Sequence, residues 1–168
     1  KDLDFKVIKL DPKRNNVVTD IVPHRLEMAQ SLGATEALLA DDGLPQRLKA
    51  LAPRGFDVVA EVTGIPSILE TAFDYVRPRG KVWVFGVVPP DQQVTFNPYQ
   101  VFRKDLSIIG SFAVNRTFHE SIALIQSGAV QVEPLISHVL PLDDFCNGLD
   151  IAARDPQRMK VQFEIYGG

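Results

Sequence analysis

Val17-Val18-Thr19-Asp20, followed by Ile21-Val22-Pro23-His24-Arg25-Leu26-Glu27-Met28-Ala29-Gln30-Ser31-Leu32-Gly33, decides how the rest of the chain is read. The first four residues are a short β-branched run that closes on a carboxylate, which predicts a strand over 17–19. After Asp20 the apolar spacing changes to the helical period. Leu26, Ala29 and Leu32 fall on one face, Pro23 suits a first helical turn, and Gly33 suits the residue just past a helix end, so a helix is predicted over 23–32.

The alternation continues downstream. A short strand is predicted at 37–39, a helix at 45–51, an apolar strand at 56–62 and a helix at 66–75. Pro78-Arg79-Gly80 then turns the chain into a strand over 81–87 that carries Trp83. Further strands are expected at 107–112 and 138–140. A helix opens at Thr117 with Glu120 three residues on, the spacing of a capping box, and ends near Gly128. Another runs from Asp143 to about Arg154, and 160–165 alternates like an edge strand. Strand–helix alternation with short connections predicts an α/β fold with a doubly wound, mostly parallel sheet. The near-continuous apolar runs at 58–62, 82–85 and 108–112 predict central strands buried on both faces.

Upstream, Phe5-Lys6-Val7-Ile8-Lys9-Leu10 reads as a strand and residues 11–16 as a turn. That turn is too short for a crossover helix, so an antiparallel hairpin with 17–19 is expected. In a dinucleotide-binding α/β unit, the acidic residue ending the second strand holds the adenosine ribose, and a first strand with a glycine-rich loop precedes it. The first glycine here is Gly33. The chain therefore reads as Rossmann-like without its first strand–loop–helix unit, with a hairpin segment over 1–16 and the main domain over 17–168.

Bulk properties narrow the classes. The 168 residues are 45% hydrophobic and 23% charged with a formal net charge of -3, which suits a globular domain and argues against a broad nucleic-acid surface. Cys146 is the only cysteine, so no disulfide can form within the chain, and a reducing compartment is favoured. No apolar run approaches the roughly 20 residues that span a bilayer, and no signal-peptide pattern opens the sequence. The expectation is a soluble, cytoplasmic chain without a membrane partner.

The residues from Val17 to Tyr166 resemble the coenzyme-binding half of the medium-chain dehydrogenase/reductase family, most of all its zinc alcohol, sorbitol and threonine dehydrogenase branch. The resemblance rests on Val17-Val18-Thr19-Asp20 with Arg25 and Leu32-Gly33-Ala34, on Phe56-Asp57-Val58-Val59-Ala60-Glu61-Val62-Thr63-Gly64, and on Arg79-Gly80-Lys81-Val82 with Phe85-Gly86-Val87. It continues in Lys104-Asp105-Leu106, Ile109-Gly110-Ser111-Phe112, Ser127-Gly128 and Pro134-Leu135-Ile136-Ser137-His138. The family's zinc-bearing catalytic domain and glycine loop have no counterpart here. The preceding run, Asp4-Phe5-Lys6-Val7-Ile8-Lys9-Leu10-Asp11-Pro12-Lys13-Arg14-Asn15-Asn16-Val17-Val18, resembles instead the last strands of a ribosomal protein S1 repeat, an OB-type RNA-binding module. A chimera joined at Val17-Val18 and a divergent N-terminus are both open.

The resemblance implies NAD as cofactor, and each site residue has a bland alternative. Asp20 either accepts from the adenosine ribose hydroxyls, repelling the 2′-phosphate of NADP, or serves as a helix N-cap. Arg25 either contacts the adenosine ribose or phosphate or is an exposed helix arginine. Thr63 and Gly64 end a strand where the backbone can approach the adenosine, or simply turn the chain. Gly86, Val87, Ser111 and Phe112 stand where family members hold the nicotinamide carboxamide through backbone groups. No residue is assigned a catalytic role. His24, His119 and His138 lie on separate elements with no paired spacing, so no metal site is expected. Cys146 is expected to be a buried structural thiol. Lys6, Lys9, Lys13 and Arg14 beside Phe5 would suit RNA in an intact barrel and otherwise form a solvated hairpin. Three functions follow: the coenzyme-binding part of a dehydrogenase, inactive alone; a non-catalytic chimeric or structural domain; and, more weakly, an RNA binder. The resemblance also implies a homo-oligomer joined near the edge strand at 134–140.

Overall fold

The computed structural model describes residues 16–112 and 117–165. The elements are β1 (Val17–Asp20), α1 (Pro23–Ser31), β2 (Glu36–Leu39), α2 (Leu44–Leu51), β3 (Phe56–Glu61), α3 (Pro66–Tyr75), β4 (Val76–Val84) and α4 (Pro98–Lys104). They continue with β5 (Ser107–Gly110), α5 (Phe118–Gln126), β6 (Ile136–Pro141), α6 (Phe145–Arg154) and β7 (Lys160–Glu164). Every described strand pair is parallel, in the orders β1-β2, β3-β4-β5 and β6-β7. The expected α/β class with parallel sheets is the observed one. The hairpin, the S1-like run before Asn16 and the basic cluster lie outside the described residues.

Two compact units result, one from residues 16–39 with 117–165 and one from residues 40–112. In the first, α1 connects β1 to β2. It ends where Gly33 adopts φ 102° and donates to Gln30 O at 3.0 Å, a conformation that only glycine enters cheaply. In the same unit α6 lies on β6 and β7. Gly148 is buried there, and a Cβ on it would stand 2.3 Å from the Phe163 ring.

The second unit holds the larger core. Leu69, Ala72 and Phe73 of α3 bury against Val76 and Val82 of β4, with Val59, Val84, Val88, Val94, Val101 and Leu106 around them. Phe73 stacks on Phe96 with centroids 4.8 Å apart. The C-terminus of α3 has no glycine, because β4 follows it directly. Its free carbonyls are met from α4 instead: Lys104 Nζ donates to Phe73 O at 2.9 Å and Val76 O at 3.3 Å, and Gln100 Nε2 to Phe73 O at 3.3 Å. A cation at a helix C-terminus also complements the helix dipole. Lys104→Met keeps the stem and removes the donors. It should cost roughly 1–2 kcal/mol, read as a lower denaturation midpoint with an unchanged slope.

Several expectations need correction. Val58, Ile108, Ile109 and Phe112 are 47%, 44%, 41% and 88% exposed, so β3 and β5 are not buried on both faces. They are the outer strands of a three-stranded sheet, and β4 between them supplies the buried Val76 and Val82 of the core. The strand expected at 81–87 begins earlier, at Val76. Pro78-Arg79-Gly80 is an irregularity inside it, with Arg79 at φ 61° and the register slipping between Phe56↔Val76 and Val58↔Lys81. The sequence reading missed α4, which Asn97 caps by accepting from Tyr99 N at 3.0 Å. Thr117 precedes α5 without a side-chain capping bond, and Asp144, not Asp143, is the N-cap position of α6. Cys146 is exposed, not buried.

Candidate functional site

Asp20 ends β1 as an interior carboxylate, 7% exposed. Val22, the N-cap residue of α1, has no side-chain oxygen to offer. Asp20 Oδ1 accepts from Val22 N at 2.8 Å, a bond to the residue two positions on that closes a local turn, so Asp20 is not the N-cap that the alternative reading expected. Arg25 Nη1 stands 3.9 Å from Asp20 Oδ2, and Arg25 is 6% exposed. The alternative of an exposed helix arginine is therefore overturned. The helical rise from the end of β1 carries Arg25 back over the carboxylate. Each carboxylate oxygen has two lone pairs, so the pair retains acceptor capacity for a hydroxyl.

In the second unit, the carboxyl ends of β3, β4 and β5 bring together Thr63, Gly64, Gly86, Val87 and Ser111. Gly64 turns the chain at φ 70°, and a Cβ there would stand 2.3 Å from Val87 O. Gly86 is as tightly placed: a Cβ on it would meet Gly64 N at 2.2 Å and Thr63 N at 2.8 Å. Two glycines are thus required for the two strand ends to touch. Ser111 is tied to β4 twice, its N donating to Val84 O at 3.1 Å and its Oγ accepting from Trp83 Nε1 at 2.5 Å. Val87 and Phe112 are exposed at this end. The carboxyl ends of parallel strands are where ligands sit in open α/β sheets.

The sequence reading did not single out Glu61 as a site residue. It is 2% exposed at the end of β3. Its Oε1 accepts from Thr63 N at 2.5 Å, from Thr63 Oγ1, and from Gly64 N at 3.0 Å. Its main-chain oxygen accepts from Phe85 N at 2.9 Å and Gly86 N at 2.8 Å. The signal available in the sequence was a carboxylate at a strand end with threonine and glycine two and three residues later.

A surface hollow of about 450 Å3, lined by Leu48, Lys49, Arg54, Tyr75 and Lys104 among others, opens by the amino ends of β3 and β4, away from this crevice. Burial, and then the neighbouring Asp74, push the Tyr75 phenol upward from its ordinary value. Among the described residues no three of His, Cys, Asp and Glu gather as a metal-binding group. His24 Nε2 is buried without a hydrogen-bond partner among them, and His138 Nε2 is 3.4 Å from Asp155 Oδ2. These residues do not fit a zinc centre, which needs three or four convergent ligands. No helix of the described residues is long and apolar enough to cross a membrane.

Comparison with known proteins matches residues 15–127 to the family described as zinc-binding dehydrogenase. That span takes in Asn15-Asn16-Val17-Val18 of the S1-like run, and the comparisons lend no support to an S1-like origin or to a join at Val17. D-altritol 5-dehydrogenase of Agrobacterium fabrum is 33% identical over 87% of this chain and 42% of its own length. L-idonate 5-dehydrogenase of Escherichia coli K-12 superposes with a TM-score of 0.77 at 27% identity, over 89% of this chain and 42% of that one. An alcohol dehydrogenase of Escherichia coli CFT073, solved with NADH, gives 0.79 at 22% identity, over 88% and 43%, a likeness of fold. The chain spans less than half the length of the curated relatives it matches. Its matched elements are those of a Rossmann-type dehydrogenase domain, and the chain belongs to the zinc-binding dehydrogenase family.

Proposed function

We propose that this chain is the coenzyme-binding portion of an NAD-dependent dehydrogenase whose substrate is an alcohol or polyol. The observation that carries the reading is the buried Asp20 carboxylate at the end of β1, with Arg25 beside it. A carboxylate there accepts from the two ribose hydroxyls of adenosine and repels a 2′-phosphate, which favours NAD over NADP. Arg25 lowers the cost of burying that charge. Within the second unit, the Thr63-Gly64 turn offers bare backbone to a coenzyme. Gly86, Val87, Ser111 and Phe112 offer backbone groups to the nicotinamide carboxamide. The bound coenzyme supplies the hydride chemistry, and the residues here bind and orient it. The polyol specificity of the altritol-oxidising relative supports the substrate class. Without a zinc ligand set among the described residues, the chain alone should not turn over an alcohol.

NAD added to the labelled protein should move the amide signals of Val18, Val22, Thr63 and Gly64. Asp20→Ala should weaken that response about tenfold, the effect of losing hydrogen bonds to a charged acceptor. NADP should bind more weakly to the parent chain. No movement at any of these amides up to about 10 mM NAD, the limit of a weak complex, would overturn the proposal.

A further inference from the structure

We propose that Glu61 is the positioning residue of the crevice at the ends of β3 and β4, its buried carboxylate presetting the Thr63-Gly64 turn and, through it, the backbone of Gly86 and Val87. This rests on the reading of that crevice as a coenzyme site. The carboxylate takes three donors from two residues, Thr63 N, Thr63 Oγ1 and Gly64 N. It also lies 3.2 Å from Gly64 N through its second oxygen. A buried carboxylate in an isolated apolar site would be costly; here local N–H and O–H groups replace the water it has lost. The turn it closes is the one that holds Gly64 at φ 70° and lets Gly86 approach within contact of Gly64 N.

The main chain of Glu61 completes the device. Its carbonyl receives both Phe85 N and Gly86 N, so one residue fixes the end of its own strand and the end of the next. Thr63 Oγ1 in turn accepts from Ile65 N at 3.0 Å and leads into α3. Glu61 itself is too enclosed to touch a ligand. What it governs is the shape that the backbone donors and acceptors of the turn present.

Glu61→Gln retains the volume and replaces one acceptor oxygen by a donor facing Thr63 N and Gly64 N. The amide hydrogens of Thr63 and Gly64 should exchange at least about tenfold faster in this variant, while amides in the middle of α3 keep their protection. NAD, the probe, should then bind about tenfold more weakly, read from the titration of the shifts at Thr63 and Gly64. Thr63→Val, which removes only the hydroxyl donor, should give a smaller change in the same direction and carries the test if Glu61→Gln does not fold. Unchanged exchange at Thr63 and Gly64 would overturn the proposal, as would faster exchange with an unaltered NAD response at the turn. If the parent chain shows no response to NAD at all, the coenzyme reading fails, and the exchange rates still decide whether Glu61 sets the turn.

Discussion

Gly86→Ala should destabilise this chain by about 3 kcal/mol, the upper end of what overpacking costs. The new methyl would lie 2.2 Å from Gly64 N, 2.7 Å from Glu61 Oε2 and 2.8 Å from Thr63 N. The one side-chain atom among them, Glu61 Oε2, is held by Gly64 N at 3.2 Å. The other two are backbone nitrogens, and all three belong to the hydrogen-bonded turn that Glu61 closes, so relief requires parting β3 from β4 at their carboxyl ends. A loss of that size is a large fraction of the roughly 5–15 kcal/mol that holds an ordinary domain together. Gly110→Ala, at the same end of the same sheet, is the matched control. Nothing lies within 4 Å of the Cβ it would add, and its φ is not positive. Its effect should stay within about 0.5 kcal/mol. Urea denaturation of the two variants checks this, and equal midpoints would show that the contact between the two strand ends is not rigid.

NAD should bind this 168-residue chain only in the millimolar range. In a Rossmann site the pyrophosphate rests on the N–H groups of a glycine loop and the N-terminus of the helix after it. The sequence before β1 contains no glycine, and among its residues Asp11 is an anion and Pro12 has no N–H. Several charge-assisted hydrogen bonds, each worth roughly 1.5–3 kcal/mol, are therefore missing, and each 1.4 kcal/mol is about tenfold in affinity. Calorimetry should find a weak complex held by the Asp20 end. A micromolar constant would mean that residues 1–16 rebuild a phosphate site.

Much of the fold was legible because proline marks helix starts so strongly. Pro23 and Pro66 open α1 and α3 where the spacing placed them, and Pro66–Tyr75 agrees residue for residue. By contrast α4 escaped notice: its seven residues are too few to show a helical period, and the Asn97-Pro98 start was its only signal. Burial was overread at Val58, Ile108 and Ile109, because an apolar strand states its preference and not the number of strands and helices present to satisfy it. Asp20 could be found from its place after a β-branched run. The Arg25 contact could not, since it depends on the angle at which α1 leaves β1. Glu61 was hidden for a related reason. A glutamate at a strand end reads as solvated, and only the left-handed turn at Gly64 folds the chain's own donors back onto it.

The bond between Trp83 Nε1 and Ser111 Oγ gives this chain an intrinsic optical gauge. Trp83 is the sole tryptophan in the sequence, so its fluorescence carries no background from other indoles. The ring lies edge-on to Phe85, centroids 5.2 Å apart at 87°, and its N–H is fastened to the first residue beyond β5. Indole emission moves with the polarity and hydrogen bonding at that N–H. The colour of the emitted light therefore reads the state of one strand end directly, and a movement of Ser111 is visible without any label being introduced.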